Sequence, residues 1–534
     1  MYQFTVTTFD FTKKNFAEWK LPYPYYYVYI LENGKEAYIG QTKDQVIRMK
    51  AHDGKKKQYS FQRAHIITSK YAEETPAKHF ENLLIMLMKA DGRFEIVNPL
   101  DGEQQNYYRK NDFEEAFDRL WPLLAEKQLV KERQYQMVLN KSSYKYAPPK
   151  MLTAKQKQAL DGIVNELVFA EESLAKKKAY FYKRPIIIEG DAGTGKTVLA
   201  TSLFYYLKTD ERFKNKKIGM VYACPSMRSL ISSVFKEVKE LKCKYVIKPT
   251  DVTREHYDIL ICDEAQKLRK NINQGKYEGN FKLGSRRLGL DDSADELDWV
   301  LHNSTFQVLF FDEKQAAGPA DIPDIKNRLL EGGIRPVKLE EQMRILAGEE
   351  YVPYIYDVLF QKAKSRKTFE HYEFRLFRSF REMFELIRKK ERETGLCRLG
   401  SGYAWEWNEK DSEEDIVIDG VRIKWNGQTG GWLNNLEARE EMGSIYTLQG
   451  LDLNYAGIVI GRDLYFDEND GLIKVNEECF YDKKVKKNVP REKLKEYILN
   501  TYAVLLSRGI RGTYVYVCDE NLRTYLEQFI PNEL

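Results

Sequence analysis

The sequence Gly-Asp-Ala-Gly-Thr-Gly-Lys-Thr at residues 190–197 is the strongest indication of this chain's architecture. It follows the apolar run Ile-Ile-Ile-Glu at residues 186–189, which is typical of a buried strand, and it opens a helical pattern over residues 198–208. The spacing G-x-x-x-x-G-K-[ST] between a strand and a helix predicts a loop that binds phosphate, because its backbone N–H groups and the helix N-terminus all favour an anion.

Each residue of this loop has an expected task. Gly190, Gly193 and Gly195 let the backbone wrap around the phosphates of ATP. Lys196 is expected to reach the β- and γ-phosphates, and the Thr197 hydroxyl to hold Mg²⁺.

A second strand ends in two acidic residues. The run Asp-Ile-Leu-Ile-Cys at residues 258–262 precedes Asp263 and Glu264. We expect Asp263 to anchor the Mg²⁺ shell and Glu264 to activate the water that attacks the γ-phosphate.

Strands and amphipathic helices alternate from residue 152 to the C-terminus, which predicts a parallel α/β architecture. The length fits two such domains, over residues 151–338 and 339–534, with a polar insertion at about 365–440. A charged helical stretch at 111–150, ending near Pro148 and Pro149, is expected to be a linker after an N-terminal domain of residues 1–110.

Several further segments stand in the order found in helicases of superfamily 1. Asp263-Glu264-Ala265-Gln266 resembles the DExx box of that superfamily, and the other matching segments are Leu152–Gln156, Ala223–Ser226, Phe311–Gln315, Leu339–Arg344, Thr447–Asp452 and Leu505–Gly509. Together with Gly400–Trp407 and Tyr502–Tyr516, these segments resemble the Schlafen-group-3-like DNA/RNA helicase family over residues 150–525.

This resemblance implies two RecA-like domains that close on ATP. It further implies that Gln156 reads adenine, that Gln315 couples the domains, and that Gly450 links the second domain to ATP. Arg344 and Arg508 are then expected to neutralise the charge that develops on the γ-phosphate.

The N-terminal region carries a different pattern. Two β-rich runs flank Asn33-Gly34, which is a strong hairpin signal. The strings Tyr27-Val28-Tyr29 and Tyr38-Ile39-Gly40, followed by Arg48 and His52 on one helix face, resemble the GIY-YIG nucleases over residues 24–106.

The nuclease resemblance implies a small α+β domain with a metal-dependent site for cutting phosphodiester bonds. Glu81 is expected to hold Mg²⁺ or Mn²⁺, and Tyr29 or Tyr38 to orient or deprotonate the water. Arg48 is expected to pair with phosphate oxygens and His52 to assist proton transfer. The expected contacts to nucleic acid are Lys55, Lys56, Lys57 and Asn98.

Composition narrows the class of protein. The 534 residues carry 85 Lys plus Arg against 80 Asp plus Glu, so net charge alone does not indicate a nucleic-acid partner. There is no apolar run of about 20 residues and no signal-peptide pattern, so we expect a soluble cytoplasmic protein without a membrane partner. The six cysteines form no Cys-x-x-Cys pair, which favours neither a zinc site nor a disulfide framework.

These patterns favour an ATP-driven nucleic-acid motor that carries an endonuclease, with DNA favoured over RNA, and by analogy a bacterial defence or restriction effector. Two alternatives stay open: an ATPase that acts as a nucleotide-sensing switch on the nuclease, and a remodeller that binds nucleic acid without cutting it. An oligomer or a partner subunit is compatible with every one of them.

Overall fold

The computed structural model divides the chain into two compact units, Met1–Asp161 and Gly162–Leu534. It describes residues 4–532 apart from residues 14, 24–25, 56–58, 70–73, 99–109, 147, 149–151, 177–183, 239, 271–277, 313–319, 323, 343, 407–415, 426–431, 433–436 and 449. No helix among the described residues is both long and apolar enough to span a bilayer.

The first unit is built on a five-stranded sheet in the order β1-β4-β2-β3-β5. Its strands are β1 Phe4–Asp10, β2 Tyr27–Glu32, β3 Glu36–Thr42, β4 Arg63–Ser69 and β5 Glu95–Ile96. Strands β2 and β3 form the expected hairpin, and Gly34 supplies the positive φ of +89° that its turn requires. The helices are α1 Gln45–Lys55, α2 Glu74–Asp91, α3 Lys110–Glu126, α4 Tyr135–Asn140 and α5 Ser142–Tyr146; α6 Ala154–Ala175 crosses into the second unit.

The stretch expected to be a linker is part of the first unit's core. Helix α3 buries Phe117 and Trp121 completely, and the Phe117 ring lies 4.2 Å from that of Phe80 in α2. The indole nitrogen of Trp121 donates to the Glu132 carbonyl at 2.8 Å. The apolar residues of α3 repeat with helical spacing, as the sequence indicates, and they pack in one cluster with Val28 and Ile30 of the sheet.

We expect Trp121→Ala to lower the free energy of unfolding of the first unit by about 3–5 kcal/mol, because it leaves a cavity in a fully buried site. Urea unfolding of the full chain, followed by far-ultraviolet circular dichroism, measures this loss. Arg119→Ala, on the exposed face of the same helix, is the matched control. A change below about 0.5 kcal/mol for Trp121→Ala would mean that α3 is only a linker.

The second unit contains two sheets. The first is six-stranded and all parallel, in the order β11-β6-β10-β9-β7-β8. Its strands are β6 Ile186–Gly190, β7 Ile218–Tyr222, β8 Val246–Ile247, β9 Tyr257–Asp263, β10 Ser304–Phe311 and β11 Val337–Leu339. We call this sheet and the helices between its strands the first lobe. Those helices are α7 Lys196–Thr209, α8 Pro225–Glu237, α9 Pro249–Val252, α10 Glu278–Arg287, α11 Glu296–His302 and α12 Ile325–Leu329.

The second lobe is built on a seven-stranded sheet in the order β12-β20-β17-β13-β16-β15-β14. Its strands, with the separate hairpin β18–β19, are β12 Glu373–Phe377, β13 Cys397–Ser401, β14 Ile416–Ile418, β15 Val421–Trp425, β16 Glu441–Ser444, β17 Leu453–Ile460, β18 Leu464–Asp467, β19 Leu472–Val475 and β20 Gly509–Val517. Its helices are α13 Tyr351–Leu359, α14 Phe380–Thr394, α15 Ile445–Leu448, α16 Lys483–Asn488, α17 Arg491–Leu506 and α18 Glu520–Leu526. The predicted parallel α/β architecture is thus confirmed for both lobes.

The polar stretch 365–440 is not an insertion. It contains β12 and β13, and β13 lies between β17 and β16 in parallel register. These strands are hard to recognise from sequence because they are short and contain charged residues. Arg398, the second residue of β13, is buried in an ion pair with Glu391 at 2.9 Å.

Candidate active sites

The first candidate site lies where β6 turns into α7. Gly193 and Gly195 have φ of +88° and +81°, so the loop between strand and helix takes left-handed conformations that favour glycine. Helix α7 begins at Lys196 directly after the loop, and its N-terminus is therefore available to an anion. The predicted glycine loop stands in the context that phosphate binding requires.

Lys196 is buried and held by three acceptors. Its Nζ donates to the carbonyls of Gly190 at 2.7 Å and Asp191 at 3.0 Å, and it lies 3.2 Å from Asp312 Oδ2. Asp312 follows β10, the neighbour of β6 in the sheet. The ammonium is thus fixed beside the loop by a buried ion pair.

Asp263 ends β9 beside the loop and is fully buried. Burial, and next the nearby carboxylate of Glu264, raise its pKa, whereas a hydrogen bond from Thr197 opposes the rise. Among the described residues, Asp263 Oδ2 has no hydrogen-bond partner. A buried carboxylate oxygen without a partner, beside a threonine hydroxyl, fits the oxygen ligands that Mg²⁺ takes from protein.

Glu264 adopts a left-handed conformation with φ of +55°. Its carboxylate accepts a hydrogen bond from the Gln266 amide, whose Oε1 in turn accepts from the Asp312 backbone N–H at 3.0 Å. Strained non-glycine backbone of this kind collects at functional sites. A continuous chain of hydrogen bonds therefore joins Glu264 to Asp312, the partner of Lys196.

Gln342, after β11, touches the glycine loop. Its Nε2 donates to the Ala192 carbonyl at 2.6 Å, and its Oε1 accepts from the backbone N–H groups of Arg344 at 3.0 Å and Ile345 at 3.2 Å. A Cβ atom on Gly193 would lie only 2.0 Å from Gln342 Oε1. The same amide thus connects the phosphate loop to the segment that carries Arg344.

The two predicted arginines lie together. Arg344 Nη1 lies 2.9 Å from Asp452 Oδ1, and its Nη2 donates to the Ser507 carbonyl at 3.0 Å. Arg508 is fully buried, donates from Nε to the Val504 carbonyl at 2.9 Å, and has a pKa lowered to about 10, first by burial and then by Arg344. The first lobe's Glu264 and Asp312 oppose that lowering, which places this guanidinium within electrostatic reach of the phosphate site.

Three more residues were predicted for this site, and the structure describes two of them. The Gln156 side chain is buried and accepts from the Thr153 backbone N–H at 3.1 Å. Gly450 packs on the first lobe, since a Cβ atom there would lie 2.7 Å from Met227 Cγ. Gln315 lies outside the described residues.

The second candidate site lies in the first unit, where β2, β3 and α1 bring four predicted side chains together. The Tyr29 hydroxyl accepts from Arg48 Nε at 2.9 Å and lies 2.7 Å from His52 Nε2. The ring of Tyr38 lies 4.8 Å from that of His52. Because Arg48 can only donate, the proton of the Tyr29 hydroxyl is available for His52 Nε2.

Gly40 makes this packing possible. It lies directly opposite Tyr29 in the β2–β3 ladder, and a Cβ atom on it would lie 2.2 Å from the Tyr29 hydroxyl oxygen. A side chain at this position would push the hydroxyl away from His52. The glycine of the Tyr38-Ile39-Gly40 string is therefore explained by close approach.

Glu81, on α2, faces the same cluster. Burial raises its pKa to about 7, although Arg48 and Lys78 oppose the rise. The Glu81 charge also contributes to the raised pKa values of Tyr29 and Tyr38, for which burial is the largest cause. One half-buried carboxylate, with oxygen as its only donor, fits a hard divalent cation that keeps water and substrate oxygens as its other ligands.

Asn98 differs from the expected contact with nucleic acid. It is buried, its Nδ2 donates to the Ile39 carbonyl at 2.6 Å, and its Oδ1 accepts from the Ile39 N–H at 2.8 Å. Both ends of its amide therefore fix β3, and through it Tyr38, so we assign Asn98 a positioning role. Lys55 ends α1, while Lys56 and Lys57 lie outside the described residues.

Sequence reasoning left several contacts at these sites without a role. They are Gly40, Gln266, Asp312, Gln342 and Asp452. Each lies inside or beside a quoted motif, but only the fold shows which motif faces which.

Comparison with known proteins finds one family match, which lies within the second unit, and a relative in yeast. The family model for the Schlafen group 3, DNA/RNA helicase domain matches residues 183–519. Uncharacterized protein YPL245W of Saccharomyces cerevisiae is 25% identical over 426 residues, which cover 70% of this chain and 90% of the yeast protein.

The similarity to solved structures is remote. An arterivirus nonstructural protein 10 helicase has a TM-score of 0.29 and 11% identity, covering 64% of this chain and 61% of its own. The Pif1 helicase of Candida albicans has a TM-score of 0.28 and 10% identity, covering 70% of this chain and 96% of its own.

The family match covers well over half of the sequence and includes the phosphate loop, the Asp263-Glu264 pair and both arginines. The chain therefore belongs to the Schlafen group 3 DNA/RNA helicase domain family and is a helicase-like protein.

Proposed function

We propose that the second unit is an ATP-driven motor on nucleic acid and that the first unit is a metal-dependent, GIY-YIG-type endonuclease. The contact between the lobes carries the first half of this proposal. Arg508, on the second lobe, interacts electrostatically with Glu264 and Asp312 of the first lobe, and Gln342 bonds to the phosphate loop. ATP hydrolysis at this site is thus tied to the relative position of the lobes.

The residues of the motor have separate tasks. Lys196 and the glycine loop bind the triphosphate, while Thr197 and Asp263 would hold Mg²⁺, which supplies positive charge to the phosphate oxygens when bound. In this proposal Glu264 takes a proton from the attacking water. Arg344 and Arg508 stabilise charge on the γ-phosphate, and both are already fixed by hydrogen bonds in the second lobe.

The cluster of Tyr29, Tyr38, Arg48, His52 and Glu81 supports the nuclease half. Arg48 is suited to phosphate oxygens, and Tyr29 with His52 forms a short path for the proton of an attacking water. Glu81 would hold Mg²⁺ or Mn²⁺, which stabilises the departing oxygen when bound. A purely structural cluster of aromatic side chains would not require an arginine, a histidine and a carboxylate beside it.

One experiment tests both halves. ATP hydrolysis by the full chain is measured with single- and double-stranded DNA and RNA and Mg²⁺ or Mn²⁺, and the same samples are resolved on gels. Hydrolysis stimulated by nucleic acid and cut products are the expected results. No stimulation by any polymer would refute the motor, and intact substrate in every sample would refute the nuclease in favour of a remodeller that does not cut.

The raised pKa of Glu81 predicts the pH dependence of cleavage. Below about pH 7 the carboxyl group is neutral and a poor metal ligand, so cleavage should fall as the pH is lowered from 8 to 6. An ordinary glutamate would leave the rate nearly flat over that range. Since metal and proton compete for one carboxylate, a tenfold rise in Mn²⁺ should move the midpoint down by up to about one pH unit. If the pH midpoint of cleavage does not change with the Mn²⁺ concentration, the group that titrates is not Glu81.

A further inference from the structure

Four aromatic side chains form a cluster at the carboxyl end of β13 in the second lobe. The Tyr403 ring lies 5.9 Å from Trp425 and 5.7 Å from Tyr446, and Trp405 lies 5.7 Å from Trp425. Trp425 is buried, whereas Tyr403 and Trp405 are partly exposed. We call these four residues the aromatic patch.

Tyr446 is the most open member of the patch. It lies on α15, is 44% exposed, and donates from its hydroxyl to Asp482 Oδ2. Such a ring is costly to leave in water, yet its hydroxyl is tied down, so the ring is held at the surface as a rigid flat face. Rigid, exposed aromatic faces are the surfaces on which unpaired bases stack.

A basic helix begins beside the patch. Asp482 precedes α16 and accepts through Oδ1 from the Val485 N–H at 3.0 Å, so the same carboxylate holds both Tyr446 and the start of the helix. Lys483, Lys486 and Lys487 are exposed, and their spacing of three and four residues places them on one helix face. The exposed carboxylate of Glu406 offsets part of this charge, with its Oε1 3.5 Å from Lys483 Nζ.

The patch is connected to the nucleotide site through the segment after β16. Tyr446 lies four residues before Gly450, which packs on Met227 of the first lobe, and six before Asp452, the partner of Arg344. Next to it, Tyr497 hydrogen-bonds Tyr446 and interacts with the charge of Asp321 in the first lobe. The patch therefore shares a short segment of chain with Asp452, the partner of Arg344.

We propose that the aromatic patch and α16 together form a grip for single-stranded nucleic acid, with bases stacked on Tyr446 and Trp405 and phosphates paired with Lys486 and Lys487. The inference rests on the proposed motor function and names the surface that holds its strand. Duplex is a poor ligand for this grip, since its bases are already stacked on one another. Single strands of DNA and of RNA both offer the bases and phosphates that this grip would contact.

Fluorescence anisotropy of labelled oligothymidylate, oligouridylate and duplex, each of about 20 nucleotides, tests the grip on the full chain. Tyr446→Ala and Trp405→Ala should each weaken binding of single strands by about tenfold, whereas Tyr446→Phe keeps the ring and most of the affinity. Lys486→Glu with Lys487→Glu should weaken binding and lower the slope of log affinity against log salt by about 0.7 per lysine. The two oligonucleotides distinguish DNA from RNA.

The charge-matched control is Lys364→Glu with Lys389→Glu, two exposed lysines elsewhere on the same lobe. It should bind as the unchanged protein does, and melting temperatures check that every variant is folded. If the unchanged protein binds no oligonucleotide, the motor proposal itself fails. If it binds but the patch and α16 variants bind equally well, only the grip is refuted. If Tyr446→Ala does not fold, Trp405→Ala and the double lysine variant decide.

Discussion

Lys196→Ala is expected to reduce ATP hydrolysis by about 10²–10³-fold, the usual cost of removing one placed donor from a charged transition state. The side chain is buried at the glycine loop and lies within hydrogen-bond distance of Asp312 Oδ2 and two loop carbonyls. Among the described residues, Lys196 is the cation whose ammonium donates to two carbonyls of the glycine loop. Hydrolysis is measured as phosphate release at saturating nucleic acid.

The control for this prediction is Lys214→Ala, which removes an exposed lysine shortly after α7 and should leave hydrolysis unchanged. Because Lys196→Ala also leaves the Asp312 carboxylate buried without its partner, the melting temperature is recorded alongside. A folded Lys196→Ala protein with hydrolysis near that of the unchanged chain would show that the loop is not the ATP site. Cleavage in the same variant then separates the models: loss of cutting favours a motor-driven nuclease, and cutting that ATP suppresses only in the unchanged chain favours a switch.

Glu81→Gln is expected to abolish metal-dependent cleavage, with a loss of at least about 10²-fold, while ATP hydrolysis persists. The amide keeps the size of the side chain but cannot carry the negative charge that a divalent cation requires. Burial raises the pKa of Glu81, which means that this site disfavours a negative charge. A neutral amide of the same size should therefore not weaken the fold. Cut products on a gel with Mg²⁺ and with Mn²⁺ provide the measurement.

Glu95→Gln, an exposed carboxylate on β5 of the same unit, is the matched control. Full cleavage by Glu81→Gln would remove the metal site from the first unit. Loss of cleavage in both variants would point instead to a general loss of negative charge.

The parts of the fold that could be predicted from sequence are those with strong local signals. The glycine loop and the Asn33-Gly34 turn each join an apolar strand to glycine at a positive φ, and the run before Asp263 is itself a largely apolar strand. They were placed correctly because propensity and pattern agree there.

The missed parts depend on contacts that are distant in sequence. Strand β13 contains a charged residue, Arg398, whose burial makes sense only once Glu391 is beside it. Helix α3 was expected to be a linker because the surface that covers Trp121 comes from other elements. Tertiary contact outweighs local propensity in both cases.

Contacts between residues distant in sequence also complete the candidate sites. Gln342 stands 150 residues from Ala192, and Asp312 stands 116 residues from Lys196. Asn98 is expected from the sequence to contact nucleic acid, but both ends of its side-chain amide form hydrogen bonds with the backbone of Ile39. A motif names the chemistry of a side chain, whereas the fold decides what it can reach.

The ion pair between Lys196 and Asp312 has a consequence for the timing of the catalytic cycle. The ammonium already has a carboxylate partner, and the Asp312 backbone is bonded through Gln266 to Glu264. An incoming triphosphate must compete for that ammonium, so arrival of the nucleotide changes the charge balance along the whole path to Glu264. Once the nucleotide has left, the ammonium can return to the Asp312 carboxylate, so the ion pair restores the starting charge balance of the site.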